Sequence, residues 1–142
     1  MNRDQLVRSM FAELRRMVAN SVLFNARMAE ALKINPTDLQ VINLLDIDGP
    51  LTPGRLAEQT RLTTGGITVV LDRLEKAGVI RREPNPDDRR SSLISVAPKF
   101  LRSAENAYAK MGEATDILLS QFSDKELALV LRFLKKATNS QA

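Results

Sequence analysis

Apolar side chains recur three or four positions apart from the start of the chain: Leu6, Val7, Met10, Phe11, Leu14, Met17, Val18, Val22, Met28 and Leu32. That is the period of an amphipathic helix, here about 30 residues long. A stripe of this length exceeds what a small domain needs for its own core, so part of it is expected to face a second chain. A second helix should start at Asn35-Pro36 and run to about Ile47. Asparagine accepts hydrogen bonds from the first free amides, and proline at the next position forfeits no needed donor. Gly49-Pro50 breaks the pattern, and Thr52-Pro53 restarts it for a short helix over Pro53–Thr60. A third start follows at Thr63 or Thr64, either of which can cap a helix carrying Ile67, Val70, Leu71 and Leu74 at helical spacing. Gly78 stands where a left-handed residue would end that helix. Two helices joined by about three residues make a helix-turn-helix candidate, with Leu56, Ala57, Leu62, Ile67, Val70, Leu71 and Leu74 as its expected core.

The period then changes. Val79–Glu83 begins with β-branched residues, Pro84–Asp88 is dense in turn residues, and Ser92–Val96 alternates apolar and polar, which together predict a β-hairpin. A hairpin directly after the second helix of such a pair, carrying Arg81, Arg82, Arg89 and Arg90, is the wing of a winged helix-turn-helix. Pro98 ends the strand. Leu101, Ala104, Tyr108, Met111, Thr115, Leu118 and Phe122 then form a coiled-coil-like seam, and Ser123-Asp124-Lys125-Glu126 has the serine and glutamate of a capping box. The last helix carries Leu127, Val130, Leu131 and Leu134 on one side. The expected fold is mainly α with a small β-hairpin wing: a winged helix-turn-helix flanked by long N- and C-terminal dimerisation helices. Residues 1–34 form the N-terminal dimerisation helix, 35–98 the winged module and 99–142 the C-terminal dimerisation helices, in one compact domain overall. Packing the two apolar flanks together and against a symmetry mate buries both, which predicts a homodimer.

Composition narrows the chemistry. The 142 residues include no cysteine, histidine or tryptophan. Disulfide scaffolds, nitrogen- and sulfur-ligated metal sites and histidine-based catalytic triads are excluded. Carboxylates, lysines and Tyr108 remain, but no pattern sets two of them in a recognisable cleft, so neither an enzyme nor a cofactor is expected. Apolar runs are too short to span a bilayer and charges are scattered through Met1–Asn20, which predicts a cytoplasmic protein with no membrane partner. The net charge of +4 is small: +3 resides in Met1–Asn35, −3 in Pro36–Pro50, and +2 in each of Leu51–Ser92 and Leu93–Ala142. The arginines at the hairpin are interleaved with Glu83, Asp87 and Asp88, so charge alone reads as a solvated loop.

The segment Leu71-Asp72-Arg73-Leu74-Glu75-Lys76-Ala77-Gly78-Val79-Ile80-Arg81-Arg82, followed by Pro86-Asp87-Asp88-Arg89-Arg90, resembles the end of the recognition helix and the wing tip of the MarR family of bacterial transcription regulators. Leu51–Ala57 and Leu62–Thr68 resemble a subset of the same family, and the likeness extends over essentially the whole chain. The resemblance implies a homodimer that binds a pseudo-palindromic operator in double-stranded DNA, commonly as a repressor. It also implies release by a small aromatic effector bound near the dimer-facing helices, where Met17, Phe24, Met28 and Tyr108 are candidates, although each lies on or beside an apolar stripe and so reads first as a core or interface residue. Two stretches depart from the family pattern. Gly65-Gly66-Ile67-Thr68-Val69 stands where members often have Ser-Thr-Val-Thr-Arg, so the base-reading arginine is absent. Val96-Ala97-Pro98-Lys99-Phe100 stands where Leu-Thr-x-x-Gly usually follows the wing, which removes a threonine cap. Without cysteine, the thiol switch of the family's peroxide-sensing branch is also excluded.

Docked as winged helices dock, the N-terminal half of the second helix offers Thr63, Thr64 and Thr68 to the major groove, with modest discrimination. Arg73 lies farther along, placed either for a phosphate or for an acidic neighbour. At the wing, the resemblance implies that Asp88 fixes the direction of Arg90 into the minor groove, whose narrowed form concentrates negative potential. Arg89 is the other candidate, because the hairpin register is not readable from sequence. A competing function is a protein-binding winged-helix adaptor with weak or no specific DNA binding, consistent with the small net charge.

Overall fold

The computed structural model describes residues 1–139. Among them are α1 (Arg3–Ala31), α2 (Pro36–Asp48), α3 (Pro53–Thr60), α4 (Thr64–Lys76), β1 (Ile80–Pro84), β2 (Ser92–Val96), α5 (Pro98–Leu119) and α6 (Asp124–Asn139). The fold is mainly helical, with one small antiparallel hairpin. Contacts divide the chain into two compact units, Met1–Ala107 and the remainder from Tyr108. This boundary falls within α5. In the first unit Met28 and Ala29 near the end of α1 are buried, and Phe100 and Leu101 of α5 pack against the core of the winged module.

In the first unit the starts of α1, α2, α3 and α4 are each built by a side-chain cap. Asn2 and Gln5 form a reciprocal capping box on α1, with both bonds at 2.9 Å. Asn35 Oδ1 accepts from Asp38 N at 2.8 Å, Thr52 Oγ1 from Arg55 N at 3.3 Å, and Thr63 Oγ1 from Gly66 N at 3.0 Å. Each satisfies an amide that the helix leaves without a partner. Residues with positive φ follow four helices: Lys33 (φ 56°) after α1, Gly49 (φ 80°) after α2, Arg61 (φ 56°) after α3 and Gly78 (φ 71°) after α4. The core joins Val41, Ile42 and Leu45 of α2, Leu56 of α3, Ile67, Val70, Leu71 and Leu74 of α4, and Val79, Ile80, Ile94 and Val96 around the hairpin. Ala57 and Leu62, also expected there, are partly buried against it.

The hairpin pairs Ile80 with Val96 at its root and Pro84 with Ser92 near its tip. Leu51 adds an isolated bridge to Ile94, with amide–carbonyl bonds of 3.1 and 2.8 Å. It anchors β2 to the link between α2 and α3, a tie the apolar pattern did not reveal. Pro98 opens α5 at its first position, and the Ala97 carbonyl accepts from Phe100 N and Leu101 N at 2.9 and 3.2 Å. A proline with preset φ thus starts the helix where the threonine cap is missing.

In the second unit α5 continues to Leu119. Phe122, expected in its seam, lies beyond it in a turn, because Gln121 N and Phe122 N bond back three residues, to Leu118 O and Leu119 O, and tighten the chain out of the helix. Glu126 then accepts from Ser123 N at 2.9 Å and Ser123 Oγ at 2.6 Å, and these bonds hold its carboxyl below its ordinary pKa. No described residue of α6 is buried: Leu129, Val130, Leu131, Phe133 and Leu134 are all exposed. Leu6, Val7, Phe11, Val18, Val22 and Leu23 of α1 are likewise exposed. Among the described residues, no helix is long and apolar enough to cross a membrane.

Candidate nucleic-acid interface

The second helix of the pair, α4, buries Ile67, Val70, Leu71 and Leu74, so Gly65, Thr68, Val69, Asp72 and Lys76 share its exposed side. Thr63 has extended backbone and, not Thr64, supplies the cap. Its hydroxyl is therefore engaged by the helix it starts. Thr68 Oγ1 donates to the Thr64 carbonyl at 2.8 Å, so this hydroxyl too is turned to the backbone. Thr64 is exposed in the first turn. Val69 is 61% exposed and was not among the sequence-based site residues. The available signal was its position, one step outside the buried Ile67–Val70–Leu71–Leu74 set.

The two glycines of this helix differ in role. A Cβ on Gly66 would stand 3.1 Å from Thr63 Oγ1, so the cap itself favours glycine there. A Cβ on Gly65 would meet nothing within 4 Å, so the fold places no demand for glycine at that position.

The arginines divide into bound and unbound. Arg73 donates through Nε to Asp38 Oδ2 at 2.9 Å and through Nη2 to Asp38 Oδ1 at 2.5 Å, so Asp38 is an acidic neighbour of the kind expected for it. Asp38 is 3% exposed while the Arg73 side chain is 49% exposed, and their hydrogen bonding holds the guanidinium above its ordinary pKa. The pair clamps α4 to the first turn of α2. Arg82 bridges Asp72 at 2.5 Å and Glu75 at 3.0 Å, tying β1 to α4. Arg81 contacts Ser95 Oγ and Glu83, both at 3.1 Å. Arg89 and Arg90 are exposed and form no ion pair among the described residues.

Asp88, which the resemblance gives as the residue that fixes the direction of Arg90, makes its contact with the backbone of that arginine. Its carboxylate accepts the Arg90 backbone N–H at 2.9 Å, so it shapes the turn from which Arg90 projects. Ser91 N closes the same turn on Asp88 O at 3.1 Å, and Asn85 Nδ2 braces it from across the hairpin on Ser91 Oγ at 2.8 Å. Arg90 lines an open recess of about 480 Å³ between the wing tip and Thr52–Gly54 at the start of α3. Arg89 does not line that recess. Among the described residues no cluster of acidic side chains could hold a metal ion.

A helix-turn-helix with a basic-tipped hairpin is thus assembled around one core, and known proteins share it. The model of the MarR family matches residues 32–91. The chain is 34% identical over 138 residues to the HTH-type transcriptional regulator YcgE of Bacillus subtilis, covering 97% of this chain and 90% of the relative. It is 30% identical over 106 residues to the multiple antibiotic resistance protein MarR of Salmonella typhimurium, covering 74% of each. The chain belongs to the MarR family. It is a winged helix-turn-helix, DNA-binding transcriptional regulator of that family. Its MarR fold is matched by the crystal structure of a MepR mutant from a multidrug-resistant clinical isolate of S. aureus, with a TM-score of 0.75 and 21% identity over 93% of this chain and 97% of that one. A second S. aureus MepR mutant, bound to an oligodeoxyribonucleotide, aligns at a TM-score of 0.59 with 21% identity, over 93% and 98%.

Proposed function

We propose that this MarR-family regulator is a cytoplasmic repressor that binds a pseudo-palindromic operator as a homodimer and leaves it when a small aromatic effector binds. α4 enters the major groove, led by Thr63, Thr64 and Thr68, and the wing reaches the minor groove with Arg90, Arg89 standing beside it. The observation that carries this reading is the division of the wing arginines. Arg81 and Arg82 are neutralised by Glu83, Asp72 and Glu75, whereas the guanidinium groups of Arg89 and Arg90 at the tip form no ion pair among the described residues. An unpaired guanidinium on a braced turn is suited to the intensified potential of a narrow minor groove. Arg73 is left out of the contact set, because its fork is occupied by Asp38.

Support for pairing comes from the exposed apolar residues of α1 and of α6, which a second copy would cover. The DNA-bound MepR mutant supports nucleic acid as the ligand of this fold. Effector release rests on the family resemblance.

The test is a gel-shift titration at fixed salt. Arg90→Ala is expected to weaken operator binding by about 1–3 kcal/mol with the melting temperature unchanged, and Arg81→Ala to have less effect. Equal affinity of Arg90→Ala and the parent protein would defeat the wing assignment.

A further inference from the structure

Gly65, Val69, Asp72 and Lys76 are spaced four, three and four residues apart and run along α4 opposite its buried side chains. Val69 is at the middle of that row, and its exposure leaves it no part in the core. Beside it, Thr68 has its hydroxyl on the Thr64 carbonyl, so the group it offers beyond the helix is its γ-methyl. Gly65, one turn before Val69, has no side chain to hold a neighbouring surface away, and the space a Cβ would take is open. Asp72, one turn after Val69, has its charge answered by Arg82 at 2.5 Å. The centre of this face is therefore hydrocarbon, bare of the forked donors and acceptors that read guanine or adenine.

The floor of the major groove offers one apolar feature, the C5-methyl group of thymine. We propose that Val69, with the methyl of Thr68, is the specificity-determining element of α4 and selects half-sites by the thymine C5-methyl rather than by a bidentate hydrogen bond. This rests on α4 being the helix that enters the major groove.

The full-length protein would first select duplexes from a random-sequence pool. The best-enriched duplex is then synthesised with uracil replacing thymine, one half-site position at a time, because uracil differs only by the missing methyl. The expected result is a loss of about fourfold in affinity per contacted methyl. In Val69→Ala, which trims a side chain outside the core, the thymine-to-uracil ratio should fall toward one. Where cytosine replaces a sensitive thymine, 5-methylcytosine should recover part of the loss. An enriched duplex that binds equally well with uracil throughout the half-site would overturn the inference and leave DNA recognition standing. A thymine-to-uracil ratio that persists in Val69→Ala would also overturn it, since the methyl would then act through duplex deformability. Failure to enrich any duplex would overturn the DNA reading and this inference together.

Discussion

At the scale of single residues, the exposed end of α4 separates what the fold requires from what it does not. Gly66 is constrained by the Thr63 hydroxyl 3.1 Å from where its Cβ would be, whereas Gly65 is constrained by nothing in the monomer. Glycine inside a helix costs about 1 kcal/mol relative to alanine, so Gly65→Ala should raise the melting temperature. If the position is glycine to let DNA approach, the same change should lower operator affinity. Paired thermal melts and gel shifts would show stability and binding moving in opposite directions; a gain in both would mean that nothing approaches α4 there. Asp88 shows where sequence reading stops at this scale. Its spacing to Arg90 was legible, but a carboxylate two residues before an arginine reaches either the guanidinium or the backbone amide, and the turn decided for the amide.

At the scale of elements, helices were legible because their caps and apolar periods coincide: asparagine or threonine followed by proline starts both α2 and α3. Ties between elements were not, because a partner such as Asp38, 35 residues from Arg73, leaves no local mark. The unequal burial of that pair yields an asymmetric expectation. Arg73→Ala would strand a buried carboxylate and should destabilise the protein by about 2–4 kcal/mol, discounted from a fully buried pair because the guanidinium is half exposed. Asp38→Asn should cost less, about 1 kcal/mol, because Arg73 can turn to water and the amide still accepts one hydrogen bond. Urea melts of the two variants would reveal the order, and equal losses would contradict it. The start of α6 makes a pH-dependent claim. Since the folded protein holds Glu126 below its ordinary pKa, its bonds to Ser123 stabilise above the unfolded value and are lost as pH falls through the folded one. Glu126→Gln should therefore flatten the acid side of the stability profile in thermal melts between neutral pH and about pH 3. An unchanged profile would contradict the assignment.

At the scale of the whole molecule, the sequence displayed the winged architecture and two long apolar flanks, but not how a single chain leaves those flanks uncovered. Val22 and Leu131 are 65% and 53% exposed, so replacing either by aspartate removes little from the monomer's own core. If a second copy covers them, Val22→Asp and Leu131→Asp should each shift sedimentation equilibrium from dimer to monomer at micromolar concentration. A parent protein that sediments as a monomer at that concentration would contradict the pairing. A second copy paired in this way would set two recognition helices about one DNA turn, roughly 34 Å, apart and so double the phosphate contacts. The most direct test of the account is the salt dependence of affinity for the selected operator. Contacts to about six to ten phosphates across a dimer should weaken binding by about 10³–10⁵ between 50 and 200 mM salt, and Arg90→Ala should lower the slope of log affinity against log salt by about one. A slope near zero, with operator and shuffled duplex bound equally, would contradict the account.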